Sequence, residues 1–329
     1  MVIIALLRAV QPLAEGATAR VGIGSAEERA IAVAWCDTTG NTLIDAGPDF
    51  VEVRRGRPHP SAGQLPPGRR LGTRLWMYTN FDCNLSCDYC CVRSSPTADR
   101  RPLGLARVRQ LVAESVPAGV TELYLTGGEP FILPEIGELV EVCARALPTT
   151  LLTNGMLFKG RRLETLKAMP RQNLALQISL DSAEPGPHDL HRGHGSWRRA
   201  HDGVMTALNL GFRIRIATTL APGVDELSQE FAMRAYCDQI GIPREDQIIR
   251  RQANRGFADQ GLVLTQQSVV PEVTVTADGV FWHPVGADDA DMLVSTEIFP
   301  LDRAIERVRE LRAEQFARRQ TLAEVFVCA

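Results

Sequence analysis

Arg74-Leu-Trp-Met-Tyr-Thr-Asn-Phe-Asp-Cys83-Asn-Leu-Ser-Cys87-Asp-Tyr-Cys90 is an apolar, strand-like run followed at once by three cysteines at spacings of four and three. Three thiolates on one loop can converge on a single inorganic group. Iron–sulfur centres are held by such cysteine runs, normally with four ligands to a 4Fe–4S cube. Three local ligands leave one iron open, and an open iron is where a cofactor or substrate binds. Zinc is the alternative, and a structural zinc site needs four closed ligands. Cys91 adjoins Cys90 and would point away from a shared metal, and no other local His or Cys completes a tetrahedron. On this loop alone both readings stand.

The rest of the chain limits the setting. Its 329 residues are 45% hydrophobic and 23% charged with a formal charge of -3. That composition fits a globular protein with a substantial core and gives no electrostatic pull toward nucleic acid or an anionic membrane. No apolar stretch approaches the roughly 20 residues that span a bilayer. The Met1–Leu7 run is apolar but short and lacks a basic flank, so it does not read as a signal peptide. Of eight cysteines, four fall within nine residues, at 83, 87, 90 and 91. This is not the spread of a disulfide framework, and a cytoplasmic protein with a metal or redox site is the expectation. Cys36, Cys143 and Cys237 sit in apolar patterns and read as core. Cys91 reads as a small buried residue or a hydrogen donor.

Around the cysteine loop the pattern alternates strand and helix. Strand-like runs stand at 122–126, 150–153, 174–180, 212–217 and 247–250, separated by helical patterns at 103–116, 134–147, 161–169, 196–210 and 225–240. Repeated units of this kind imply a parallel sheet with right-handed crossovers, open or curled into a barrel. Residues 1–70 differ: Ala30–Trp35, Thr42–Ala46 and Val51–Val53 read as strands, with a turn at Asp37–Asn41, and Arg57–Gly68 reads as a Pro/Gly linker. In the tail, 272–276 and 280–282 flank Ala277-Asp-Gly279 as a hairpin, and a last helix runs over 301–319. The expected domains are a small β-rich region at 1–70, a core at 71–255 and an extension at 256–329.

In parallel α/β architectures, sites collect at the carboxyl ends of strands. Every such end here carries something unusual. After the second strand comes Thr126-Gly-Gly-Glu-Pro130, whose glycines let the backbone approach a ligand and whose Glu129 suits an ammonium group. Thr153-Asn154-Gly155 follows the third strand. Ser179-Leu-Asp181-Ser182 ends the fourth, where Ser and Asp can bind sugar hydroxyls or cap a helix. Arg250 and Arg251 end the sixth and can bind a carboxylate or phosphate, or stand solvated. His188, His191, His194 and His201 have spacings that define no metal site.

Taken in order, these elements resemble the radical S-adenosylmethionine (SAM) enzymes: the CxxxCxxC loop with Tyr89 before its last cysteine, then Gly127-Gly-Glu-Pro130, Thr153-Asn-Gly155 and Ser179-Leu-Asp-Ser182. The resemblance covers roughly residues 74–252 and implies an α/β fold, a partial (β/α)6 barrel. It implies that Cys83, Cys87 and Cys90 ligate three irons of one 4Fe–4S cluster, the fourth iron taking the amino and carboxylate groups of SAM. It further assigns Tyr89, Gly127, Gly128, Glu129, Asn154, Ser179, Asp181 and Arg192 to SAM binding, and implies reductive cleavage of SAM to a 5′-deoxyadenosyl radical that abstracts hydrogen from a substrate. Catalytic residues beyond these are not implied.

Pro187-His-Asp189, Arg192-Gly193, Gly195-Ser-Trp197 and Ala200 resemble the branch that carries SPASM or twitch extensions, whose members often modify peptides or build cofactors and natural products. The tail hairpin resembles the start of such an extension, but His283 stands where a cysteine is usual, so no auxiliary cluster is expected. An electron donor such as flavodoxin or ferredoxin and a peptide or small-molecule substrate are the implied partners. A sugar, nucleoside or lipid is the alternative substrate, and a non-catalytic zinc or iron–sulfur module the alternative class.

Overall fold

The structure, a computed structural model, describes residues 2–10, 12–14, 16–39, 41–56, 71–222 and 225–325. The chain divides into two compact units, residues 1–70 and 71–329. The linker expected over 57–68 lies outside the described residues.

The first unit is not simply β-rich. It runs α1 (Val2–Val10), β1 (Thr18–Gly22), α2 (Ala26–Thr39), β2 (Thr42–Ala46) and β3 (Phe50–Arg54). The strands form one antiparallel sheet in the order β1-β3-β2. Val2, Leu6 and Val10 recur at helical spacing and are buried with Val51 and Val53, so the apolar opening run is a core helix. Ala30–Trp35 is helical, against the strand expected there, and helix also replaces most of the expected turn; Gly40 lies outside the described residues. The unbroken run of Ala, Ile and Val suits a strand by composition, but what is buried is Ala32, Trp35 and Cys36, at the i, i+3, i+4 spacing of one helical face. Ser25 and Glu28 carried the overlooked signal. The Ser25 hydroxyl accepts the Glu28 N–H at 3.1 Å, and the Glu28 carboxylate accepts the Gly24 N–H at 2.7 Å, much as in a capping box.

In the second unit, β4 (Arg74–Tyr78), α3 (Leu105–Ser115), β5 (Glu122–Thr126), α4 (Ile136–Ala146), β6 (Thr149–Thr153), α5 (Arg161–Ala168), β7 (Leu174–Ser179), α6 (Pro185–Arg192), α7 (Ser196–Asn209), β8 (Arg213–Leu220), α8 (Glu226–Gln239) and β9 (Gln247–Arg251) follow the expected alternation, with α6 a helix beyond those expected. The six strands pair in parallel in sequence order. A small parallel pair follows, β10 (Ala253–Asn254) with β11 (Leu262–Val263). The tail hairpin, β12 (Thr274–Thr276) and β13 (Gly279–Phe281), with β14 (Leu293–Ser295), does not stand apart. β12 pairs in parallel with β4 and extends the sheet to nine strands. α9 (Leu301–Val325) buries Leu301, Ala304, Ile305 and Val308, and the Leu301 N–H donates to Glu114 of α3 at 2.7 Å.

Strand register sorts the two faces of this sheet. Trp76 lies opposite Tyr124, Tyr124 opposite Thr150, Thr150 opposite Ala175 and Ala175 opposite Arg213. Because side chains alternate with period two, one face carries Leu75, Met77, Leu123, Leu125, Leu176 and Ile216, all buried. The other face carries Tyr78, Tyr124, Gln177, Ser179, Thr219 and Arg250. A parallel sheet is ordinarily apolar on both faces, so the polar face marks where this fold departs from pure packing.

That face is concave. The Phe257 N–H, in the segment that follows β9, donates to the carbonyl of Cys90, in the loop that follows β4, at 2.9 Å, although five steps across a flat sheet would separate the two strands by about 24 Å. The sheet therefore curls so that the carboxyl end of β9 approaches that of β4. It does not close, because β12 occupies the outer edge of β4 and β9 is a free edge. Among the described residues no helix is long and apolar enough to cross a membrane.

Candidate functional site

The cysteine loop leaves β4 at the carboxyl edge and is folded back on itself: the Cys83 N–H donates to the Ser95 carbonyl at 3.0 Å, and Asp82 bridges to Ser95. Cys83 is buried, while Cys87, Cys90 and Cys91 are half-buried. Leu85 and Ser94 N–H groups point at the Cys83 and Cys90 sulfurs at 3.4 and 3.3 Å. The far side of the loop is braced from beyond β9, where the Phe257 N–H donates to the Cys90 carbonyl at 2.9 Å. Gly256 passes so close that a Cβ there would stand 2.1 Å from that carbonyl oxygen, and its φ of +66° suits glycine as well.

Burial pushes the Cys83 thiol up to about 12, with the Glu129 carboxylate and the other two cysteines adding to it. Burial likewise pushes Cys87 up to about 11, against the pull of Arg192. Cys83 and Cys87 are therefore poor thiolates alone, and with Cys90 they make a set of sulfur donors suited to a cationic group, which is the donor chemistry of an iron–sulfur cluster. Among the described residues no set of three or more His, Cys, Asp or Glu side chains is arranged to hold a single metal ion. The fit therefore rests on donor chemistry and not on a preformed cage.

Gly127 and Gly128 approach the protein's own backbone. A Cβ on Gly127 would stand 2.4 Å from Asn80 Oδ1, and one on Gly128 2.2 Å from the Asp82 carbonyl oxygen. The loop is zipped there by Gly128 N–H to Asn80 O at 2.9 Å and Glu129 N–H to Asp82 O at 3.0 Å. Asn80, fully buried and not singled out by sequence, donates from Nδ2 to the Asp82 and Glu129 carbonyls and to the Asp82 carboxylate.

Glu129 is wholly buried, and its carboxylate is filled by this chain. It accepts the Phe131 N–H at 3.0 Å, the Thr153 hydroxyl at 2.7 Å and the Asn154 N–H at 2.7 Å. Burial pushes its carboxyl up while those donors pull it down. The side chain ties the loop after β5 to the loop after β6. Asn154 continues the tie, donating from Nδ2 to Asn84 of the cysteine loop at 2.9 Å and accepting the Met156 N–H at 3.0 Å.

Tyr89, Asp181 and Arg192 meet one another. The Tyr89 hydroxyl donates to Asp181 Oδ2, Arg192 Nε donates to the same oxygen at 2.5 Å, and the Thr219 N–H donates to Asp181 Oδ1 at 3.1 Å. Burial raises the Asp181 carboxyl, but the Arg192 guanidinium outweighs it and holds the group below the usual carboxylate range. His188 lies beneath, buried, accepting the Asp181 N–H on Nδ1 at 3.2 Å. Asp189 accepts the Gly195 and Trp197 N–H groups, each at 2.7 Å, at the start of α7. The Pro187–Trp197 stretch thus builds the turn from β7 into α7 and locks α6 to the cysteine loop, where His191 Nδ1 meets Asp88 Oδ2 at 2.9 Å. Ser179, last in β7, is half-buried on the polar face.

Residues 77–233 match the model of the Radical SAM superfamily. Over 159 residues the chain is 30% identical to the GTP 3′,8-cyclase of Microcystis aeruginosa, covering 45% of this chain and 47% of that protein. Over 143 residues it is 33% identical to the antilisterial bacteriocin subtilosin biosynthesis protein AlbA of Bacillus subtilis, covering 42% and 31%. The chain thus spans about a half and a third of these relatives. Its fold is similar to Streptococcus suis SuiB bound to S-adenosylmethionine, with a TM-score of 0.50, 19% identity, and coverage of 59% of this chain and 44% of that one.

Proposed function

We propose, from the match of residues 77–233 to the Radical SAM superfamily, that the chain binds one 4Fe–4S cluster and S-adenosylmethionine and abstracts hydrogen from a peptide substrate. The observation that carries this is the partly buried three-cysteine loop at the carboxyl end of β4, opening onto the polar concave face of a curled parallel sheet. When bound and reduced by an external one-electron donor, the cluster would supply reductive cleavage of the C5′–S bond of SAM, and with it the 5′-deoxyadenosyl radical chemistry that removes hydrogen from a substrate.

The chain's own work is placement. Cys83, Cys87 and Cys90 would hold the irons. The Gly127–Gly128 backbone lies over the same loop and would meet the SAM ammonium, and Ser179 would serve its ribose or carboxylate. Glu129, Asn154, Asp181 and Arg192 act through structure, keeping the loops after β4, β5, β6 and β7 in one frame. Tyr89 presents its ring from that frame. Such rigidity serves the reaction because a primary radical is quenched by any nearby C–H bond, so the substrate must sit in a near-attack arrangement.

Peptide modification is favoured by the likeness to AlbA and by the Pro187–Trp197 segment. The likeness to GTP 3′,8-cyclase supports a second reading, a small-molecule substrate. Residues 256–329 fit a twitch-like extension without its cysteines, and a flavodoxin or ferredoxin in the cytoplasm fits the electron supply. The test is anaerobic reconstitution with iron and sulfide, then SAM under strong reductant. The wild type yields 5′-deoxyadenosine and Cys87→Ala yields none; a cluster-loaded wild type that leaves SAM intact contradicts the proposal.

A further inference from the structure

Arg250 is the last inward-facing residue of β9, and its charge is uncommitted. Register places it opposite Thr219, on the face shared with Tyr78 and Ser179, while Arg251 alternates outward and meets Glu226 of α8 at 2.7 Å. It stands one residue from the carboxyl end of its strand, at the rim where the cysteine loop lies.

The other arginines around this rim are all neutralised. Arg100 pairs with Asp82 at 2.9 Å and Arg192 with Asp181 at 2.5 Å. Arg93 pairs with Asp289 at 2.7 Å, and Arg255 with Asp289 at 3.0 Å and Asp291 at 2.7 Å. Among the described residues Arg250 makes no hydrogen bond and no ion pair, although it is exposed and the side chains it faces are close enough to feel it. Burial holds the His283 imidazole below its ordinary value against the pull of Glu272, and the Arg250 charge adds to the lowering; the same charge acts on Tyr78 and on the Cys91 thiol. Tyr78, Cys91 and His283 are neutral groups, and none offers the guanidinium a counter-charge.

An inward guanidinium that finds no carboxylate, on a face where every comparable arginine has one, is a binding group waiting for a ligand anion. Its planar fork matches a carboxylate or a phosphate in two parallel bonds. We propose that Arg250 anchors an anionic group of the substrate, a carboxylate or phosphate, at the rim opposite the cysteine loop, so that the remainder of the substrate lies across the concave face toward Ser179. This rests on the radical SAM reading for the identity of the site, but the anion contact does not require turnover.

The experiment uses the anaerobically reconstituted protein and two anions, inorganic phosphate and acetate, followed by NMR line broadening of the anion as protein is titrated, beside R250Q, R250K and R251Q. SAM affinity is measured on the same samples, and SAM cleavage on the wild type reports separately on the proposed function. The expected result is saturable binding of at least one anion to the wild type and to R251Q, weakened roughly tenfold or more in R250Q and partly kept in R250K, with SAM affinity unchanged in R250Q. Preference for phosphate or acetate tells which anion the substrate carries. Two results overturn the proposal: anion binding equal in wild type and R250Q, including none in either, or a parallel loss of SAM affinity in R250Q, which would make the cofactor's own carboxylate the partner.

Discussion

Replacing Glu129 separates a strut from a ligand contact. Its carboxylate serves three donors with no solvent beside it. In Glu129→Gln one terminal oxygen becomes an NH2 group. Whichever oxygen is replaced, at least one acceptor is lost and a buried donor is left facing another donor, each unmet group costing about 1–3 kcal/mol. The charge-assisted part of the remaining bonds is also lost, offset by no longer desolvating a carboxylate. A net loss of about 2 kcal/mol follows for Glu129→Gln. Glu129→Ala orphans all three donors and leaves a cavity, and about 5 kcal/mol is expected, comparable to the whole stability of many domains. Denaturant unfolding of protein without cluster or SAM reads this directly, since a strut matters whether or not a ligand is present. Wild-type stability in Glu129→Gln, with SAM binding nonetheless reduced more than tenfold, would refute the reasoning and return Glu129 to direct contact with SAM.

Other consequences follow from the same frame. His188, held neutral by burial, has its pKa lowered from 6.5 to about 4. The unfolded chain takes up that proton first, so stability is full above pH 6.5 and falls by about 3 kcal/mol as pH drops to 4; the slope should vanish from denaturant midpoints of His188→Asn. Asp181→Asn leaves the Arg192 guanidinium buried without its counter-charge and should cost about 3–5 kcal/mol in the same assay. Gly128→Ala drives a methyl into the Asp82 carbonyl, 2.2 Å away, and should lower stability by about 1–3 kcal/mol while slowing cluster assembly, measured as iron incorporated over time.

Much of this architecture was legible because strand–helix alternation is a long-range pattern and each strand end was marked. The sheet order and the helices between strands follow from it. Three things were not legible, for physical reasons. In α2 the apolar run from Ala30 to Trp35 matched a strand in composition, while its phase was set by the Ser25–Glu28 cap upstream. The tail hairpin looked like an appendage, but pairing of Thr274 with Trp76 is a contact across about two hundred residues that no local pattern encodes. The third is the work done by the marked residues. Sequence identifies Gly127, Gly128, Glu129 and Asp181 as unusual for their places, yet cannot tell a residue turned to a ligand from one turned to Asn80, Thr153 or Arg192. Where a carboxylate is buried among donors of its own chain, it holds the site's shape. Arg250 shows the converse, since only the partners of its neighbours reveal that it has none.

The central claim is that three cysteines hold a cluster with one iron left for SAM. Iron and sulfide analysis of anaerobically reconstituted protein, joined to the electron paramagnetic resonance spectrum of the reduced sample with and without SAM, tests it most directly. About four irons per chain, a reduced-cluster signal that changes shape when SAM is added, and loss of both in Cys87→Ala are predicted. A colourless protein carrying zinc, or a cluster whose spectrum is indifferent to SAM, would contradict it.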